Sequence, residues 1–239
     1  MLVLHLIVVF SHLVLHKSVA ALTELADLDL EANLPTYFNS LLFFIGAALF
    51  FLYGRMEGGR HRWGWLLMAA TFCFLGVDEG SQVHEKLILF TQGLMAGTHL
   101  EGAARGWLYY AWVVPYLLAI VALLVILWRW FFGLSPQMRN GLVISGAIYV
   151  LSAAGLEMAE AKVATSFPWR DPSYYPWLPC EVYKASGCWM YMQPLYILMY
   201  TLEELGEMLA LILCICTLLR GIEAKGMVLT LGMAKAAQG

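Results

Sequence analysis

Charge is what this sequence has least of. Asp, Glu, Lys and Arg together supply 13% of its residues, against roughly 25% in an ordinary soluble domain. The net charge is −3 and no basic stripe occurs, which excludes the electrostatic footprint of a nucleic-acid binder. No Walker loop, no GxGxxG heading a βαβ unit, no HExxH and no GxSxG is present. The CxxCH signal of haem attachment is missing too. Neither an internal repeat nor a low-complexity tract occurs before the last dozen residues. One domain, 1–239, accounts for the chain.

What fills the chain instead is hydrophobic sequence, 61% of it, in long continuous runs. Lipid has no water to satisfy backbone polar groups, so spanning chains are helices or closed barrels. The runs far exceed the ~10 residues of a barrel strand. The expected fold is therefore all-α: a polytopic transmembrane helix bundle of six spans. They run from Leu2 to about Ala21, Tyr37 to Tyr53, Trp63 to about Phe90, Trp107 to about Gly133, Gly141 to about Ala164, and Pro194 to Leu219. The count falls to five if the first is a cleaved signal: Ser18-Val19-Ala20 resembles a cleavage site, but no Lys or Arg precedes the apolar core. The fourth span is apolar on every face and should meet lipid.

Arg55, Arg60 and Arg62 mark the second connection as cytoplasmic. With alternating spans, Arg129, Arg139, Arg220 and Lys225 fall on that same side, and both termini are cytoplasmic. The acidic connector (Glu24, Asp27, Asp29, Glu31), expected as a short surface helix, then lies outside. So does the loop 165–193, dense in Trp, Tyr and Pro. That loop is either a lid in the interface belt, an entrance for a lipid-soluble substrate or quinone, or a docking face for a partner subunit. Cys180 and Cys188 within it are expected as a disulfide; Cys73, Cys214 and Cys216 are expected as packing residues.

The scarce charges are not scattered. Val77-Asp78-Glu79-Gly80-Ser81-Gln82-Val83-His84-Glu85-Lys86 lies inside the third apolar run. Glu157 and Glu160 lie in the fifth, and Glu203, Glu204 and Glu207 in the sixth. Ionisable groups in a span cost a few kcal/mol each and are functional candidates by default. At ~1.5 Å of rise per residue all three sets fall in the middle-to-outer layer. A continuous third helix puts Asp78, Gln82 and Glu85 on one stripe, with Glu79 and His84 on its flanks. His5, His12 and His16 form a further stripe on the first span, His12 and His16 being i,i+4.

Carboxylates with imidazole suit iron or manganese, and less so zinc. Paired acids on facing helices follow the logic of dinuclear carboxylate sites. The expected metal ligands are Asp78, Glu79, Glu85, Glu157, Glu160, Glu203, Glu207, His12 and His16. Glu204 and His84 would complete the shell or move protons. The leading expectation is redox chemistry by a membrane oxidoreductase on a membrane-associated substrate, without nucleotide or haem. Two alternatives stay open: proton or cation translocation by the same acids, or an accessory subunit of a larger membrane complex. A structural role, as ion-pair or capping partners, is the remaining reading for any single acid.

The Val77-Asp78-Glu79 and His84-Glu85 pattern, with Glu203-Glu204-x-x-Glu207, resembles one found in uncharacterised bacterial polytopic inner-membrane proteins. Val77 stands where such proteins often carry Leu. The resemblance implies a carboxylate set acting as one unit, and no particular activity.

Overall fold

Asn33 starts the helix on which the others are hung. Its side chain accepts the Thr36 amide at 3.2 Å, and Pro35 fits the first turn, where no amide partner is needed. In the computed structural model, residues 1–59, 61–98, 106–166, 176–180, 182 and 188–226 are described. All regular structure among them is helical. In chain order it comprises α1 (Leu2–Leu13), α2 (Ala20–Ala26), α3 (Leu34–Met56), α4 (His61–Ser81), α5 (Val83–Met95), α6 (Val113–Phe132), α7 (Pro136–Val150), α8 (Glu157–Ser166) and α9 (Pro194–Ala224). A π-helical segment, Leu151–Leu156, joins α7 to α8, so that Pro136–Ser166 is one long rod. A short 3₁₀ turn, Cys188–Met192, precedes α9.

Four of these rods are long and apolar enough to cross a membrane: α3, α6, α7–α8 and α9. The α4 helix folds back antiparallel on α3, held by the Ser40 hydroxyl donating to the Gly76 carbonyl at 2.6 Å. The α6 helix is mostly exposed apolar surface, as expected of a lipid-facing span.

Two expectations fail here. The first concerns α1: twelve residues rise only about 18 Å, short of the ~30 Å hydrocarbon core. It packs at the connector end and is not the full span expected of Leu2 to Ala21. The second concerns the run Trp63 to Phe90, which is not one helix. Gln82 sits in the left-handed region (φ 56°), ending α4 and starting α5. Asp78 then stabilises the new start, its Oδ1 accepting the His84 amide at 2.8 Å. The stripe Asp78-Gln82-Glu85 assumed helical continuity and does not exist.

The two ends of the bundle differ sharply. At one lie Arg55, Arg62, Arg129, Arg139, Arg220 and Lys225, all at helix ends or first turns. There Lys225 bonds Glu57 at 2.6 Å and lies over the Tyr53 ring, tying the C-terminal ends of α3 and α9 together. Burial opposes the Glu57 charge, but the Lys225 ammonium outweighs it and holds that carboxyl below its ordinary range. Just inside is a dry plug. Tyr53 stacks on Trp65 at 4.3 Å, Trp130 meets Trp65 edge-on, and Leu218 and Ile222 close the gaps.

The opposite end carries the connector. Cys180 there is disulfide-bonded; the Cys188 side chain lies outside the described residues, as does the aromatic run Phe167 to Tyr175. Cys73, Cys214 and Cys216 are free thiols.

Candidate functional site

The acids of α4, α8 and α9 meet. Between the helices is a cavity of about 740 Å³, and its walls include Asp78 and Glu79 (α4), His84 (α5), Glu157 (α8), and Glu203, Glu204 and Glu207 (α9). Glu31 of the connector joins them. The remaining wall is apolar or aromatic and extends past Leu123, Leu142 and Cys214 toward the plug.

Each acid is aimed by local structure. On α9, Glu203 and Glu207 are one turn apart, both buried, roughly 14–20 Å from the start of the helix. Gly206 between them faces the π segment. A Cβ there would collide with the Ser152 hydroxyl, so glycine lets the two rods close beside the acids. The π segment adds a residue without a full turn, a device common at functional sites. Just beyond it Glu157 and Glu160 face α9.

Glu203 meets Glu157 and Glu160 side chain to side chain. The Trp112 indole donates to Glu157 at 3.1 Å. Glu160 in turn reaches Tyr196, whose hydroxyl donates to Asp29 at 3.3 Å, and Tyr191 donates to the same carboxylate. The result is a side-chain ladder from the connector to the cavity: Asp29, Tyr196, Glu160, Glu203, Glu157.

Two further groups flank it. Asn39, fully buried on α3, donates its one amide to two acids, Glu79 at 3.2 Å and Glu207 at 3.1 Å. On the other side Asp78 accepts the Tyr116 hydroxyl at 2.6 Å and faces His84 Nδ1 at 3.5 Å. The second nitrogen of His84 faces Glu31 at 3.8 Å.

So many acids packed together in a low-dielectric interior cannot all carry full charge unless protons or cations join them. Among the described residues three buried acceptors have no hydrogen-bond partner: Glu160 Oε2, Glu31 Oε2 and Asn39 Oδ1. Yet among the described residues no three His, Cys, Asp or Glu side chains converge as a metal-ligand group.

Not every expected residue is here. Glu85 has gone with α5 and does not line the cavity. His16 lies past the end of α1, stacked on Trp177 at 4.5 Å. His12 is buried beside Thr23 at 3.3 Å, in a separate polar knot with His5 and Asp27. In that knot His5 Nδ1 accepts the Leu28 amide at 3.2 Å, which leaves the hydrogen on Nε2, facing Thr201 at 3.0 Å. Those contacts pin the connector inward, and the spacing of His12 and His16 serves no shared ligand.

Sequence reasoning missed the connector acids Asp29 and Glu31, and also Asn39, Tyr116, Tyr196 and Trp112. Asn39 had a signal, a lone amide in an apolar span; the tyrosines had none.

Across its first 222 residues the chain matches the family model described as Domain of unknown function (DUF8692). It belongs to the DUF8692 family. No curated protein and no solved structure matches the DUF8692 chain.

Burial, reinforced by the neighbouring Glu79 carboxylate, pushes the Glu31 carboxyl from an ordinary 4.5 up to about 8. The folded chain therefore holds a proton that the unfolded chain has released between those two values. Stability is unaffected by this group below about pH 4.5, falls as pH rises toward 8, and levels off above. In the DUF8692 protein, melting temperature measured across that window is expected to fall, and Glu31→Gln is expected to flatten the fall.

Proposed function

We propose that the DUF8692 chain is an integral membrane protein that takes a lipid-soluble ligand into its cavity and exchanges protons between that ligand and one side of the membrane. The observation that carries this is the pairing of the ladder with the plug. Carboxyl and phenol groups run from the connector to the cavity. Beyond the cavity the path is closed by aromatic and aliphatic packing at Tyr53, Trp65, Trp130 and Leu218. A channel through the membrane needs polar groups on both sides, whereas a site that serves a bound ligand needs them on one. The cavity falls within the ~300–1,000 Å³ of small-molecule sites.

The positive-inside bias puts the arginine-rich end in the cytoplasm, and the ladder opens on the opposite face. With α4 counted beside the four apolar rods, the bundle crosses the membrane five times, so that the C-terminus is cytoplasmic and the N-terminus, expected there too, lies on the connector side. The resemblance in its acid pattern supports a bacterial inner membrane.

Gly146 offers the test. It lines the cavity, and a Cβ built on it meets nothing. Gly146→Phe is therefore expected to take up part of the cavity without lowering the melting temperature, since glycine is the poorer helix former. Saturable binding of the apolar fluorophore N-phenylnaphthylamine to the protein in nanodiscs is expected to weaken. Unchanged binding would count against the cavity as the ligand site.

The unpartnered Glu160 Oε2 favours a second reading: an iron or manganese ion that would draw Glu79, Glu157, Glu160, Glu203 and Glu207 into a ligand group they do not form without it, with redox chemistry on the same substrate. Metal analysis of purified protein separates the two. Near-stoichiometric metal, lost in Glu207→Gln, supports this reading, and less than roughly a tenth of an equivalent rejects it.

A further inference from the structure

We infer that the ligand of this cavity is a lipophilic cation: a single hydrocarbon tail headed by an amine or quaternary ammonium. The inference rests on the cavity being a ligand site, and adds what kind of head group it admits.

The charge of the wall decides the sign of the head. The polar end of the cavity is built from carboxyls, and among the described residues no lysine or arginine lines it. Its one imidazole, His84, is already turned to acids through both nitrogens, Asp78 at 3.5 Å and Glu31 at 3.8 Å. A phosphate, sulfate or carboxylate head would enter a low-dielectric interior against carboxyl groups of its own sign, which is unfavourable.

Independent of the acids' number, buried acceptors without donors stand on that wall or one side chain behind it, Asn39 against Glu79 and Glu207 and Glu160 against Glu203. Asn39 is fully buried and spends its amide on Glu79 and Glu207, leaving Oδ1 unpartnered; the nearly buried Glu160 leaves Oε2 unpartnered. Glu31 Oε2 is a third such acceptor, on the cavity wall itself. Acceptors lacking donors call for a donor or a positive charge. A neutral hydroxyl head supplies the first only; an ammonium supplies the second, and a primary one supplies both.

The aromatic groups fit the same head. Trp112, Tyr116 and Tyr149 line the cavity near the acids, and indole and phenol faces attract ammonium groups. The apolar remainder of the cavity, past Leu123 and Leu142, then takes the tail.

Charge balance gives the exchange. When a head with one positive charge enters, one proton leaves the carboxyl set, passing from Glu157 through Glu203 and Glu160 toward Asp29. The net charge of the buried site is unchanged, so neither state leaves an uncompensated charge in the membrane.

The experiment uses the full chain in phosphatidylcholine nanodiscs and three tritiated probes of one tail length: decyltrimethylammonium, decanol and decyl sulfate. The ammonium probe is expected to bind at least ~10-fold more tightly than decanol, with sulfate the weakest. A pH dye is expected to report about one proton released per ammonium bound. In Glu204→Gln, checked for folding by its melting curve, the preference over decanol is expected to shrink. Equal affinity for decanol, or tighter binding of the sulfate, overturns the cationic head and leaves the cavity standing. Failure of all three probes, with N-phenylnaphthylamine binding indifferent to Gly146→Phe, overturns the cavity as well.

Discussion

Asn39→Leu lowers the stability of the protein by about 2–4 kcal/mol, a fall in melting temperature of roughly 4–16 °C for a chain of this size. Leucine fits the volume, so the loss is chemical. The amide of Asn39 is the one donor shared by Glu79 and Glu207, at 3.2 and 3.1 Å, in a position with no exposure to solvent. Removing it leaves two buried carboxyls facing each other across an apolar side chain. Hydrogen bonds to ionised groups are among the stronger ones, and the orphaned acceptors carry their desolvation cost unrelieved. A double-mutant cycle with Glu79→Gln checks the cause, because an amide at position 79 restores a donor to Glu207. The double variant is expected to recover part of the loss. Strict additivity would show that Asn39 acts by packing alone.

Glu203→Gln slows proton exchange between the cavity acids and the bulk at least ~100-fold, the scale on which losing a positioned acid or base is felt. Glutamine keeps the shape and can still hydrogen-bond, but it cannot take up and release a proton. Glu203 is the rung between Glu160, on the connector side, and Glu157, on the cavity wall. The measurement is the rate at which carboxyl bands in the infrared shift after a jump into heavy water. A Glu24→Gln control, in the exposed part of the connector, is expected to exchange as the unaltered chain does. An unaltered rate in Glu203→Gln would mean that protons reach the cavity by another route.

Long apolar runs and the placement of the arginines make much of this architecture legible in the amino-acid sequence. Helices α3, α6, α7–α8 and α9 stand where continuous hydropathy puts them, and acids of α4, α8 and α9 line one cavity, as their shared level along the helices implies. Four things were hidden wholly or in part, each for a physical reason. The break at Gln82 uses a non-glycine residue at positive φ, and only the tertiary cap from Asp78 reveals why that strain is tolerated. The connector acids look like a solvated face because local sequence cannot show that His5, Tyr191 and Tyr196 will draw Asp27 and Asp29 inward. The histidine stripe was half right in geometry, since His5 and His12 do face in. It was wrong in purpose, because α1 ends before His16 and its buried imidazoles bond to α2, the connector and α9. The π segment had only a faint trace, the small residues Ser152-Ala153-Ala154-Gly155 set against Gly206.

The claim on which the rest depends is that the carboxyl set is one proton-sharing unit open to one side of the membrane. Infrared spectra of oriented proteoliposomes, with the pH stepped separately on each face, test it directly. Protonated-carboxyl bands that respond to the connector face and ignore the arginine-rich face are the predicted result. Equal response to both faces, or carboxyls fully ionised at neutral pH around stoichiometric metal, would contradict it.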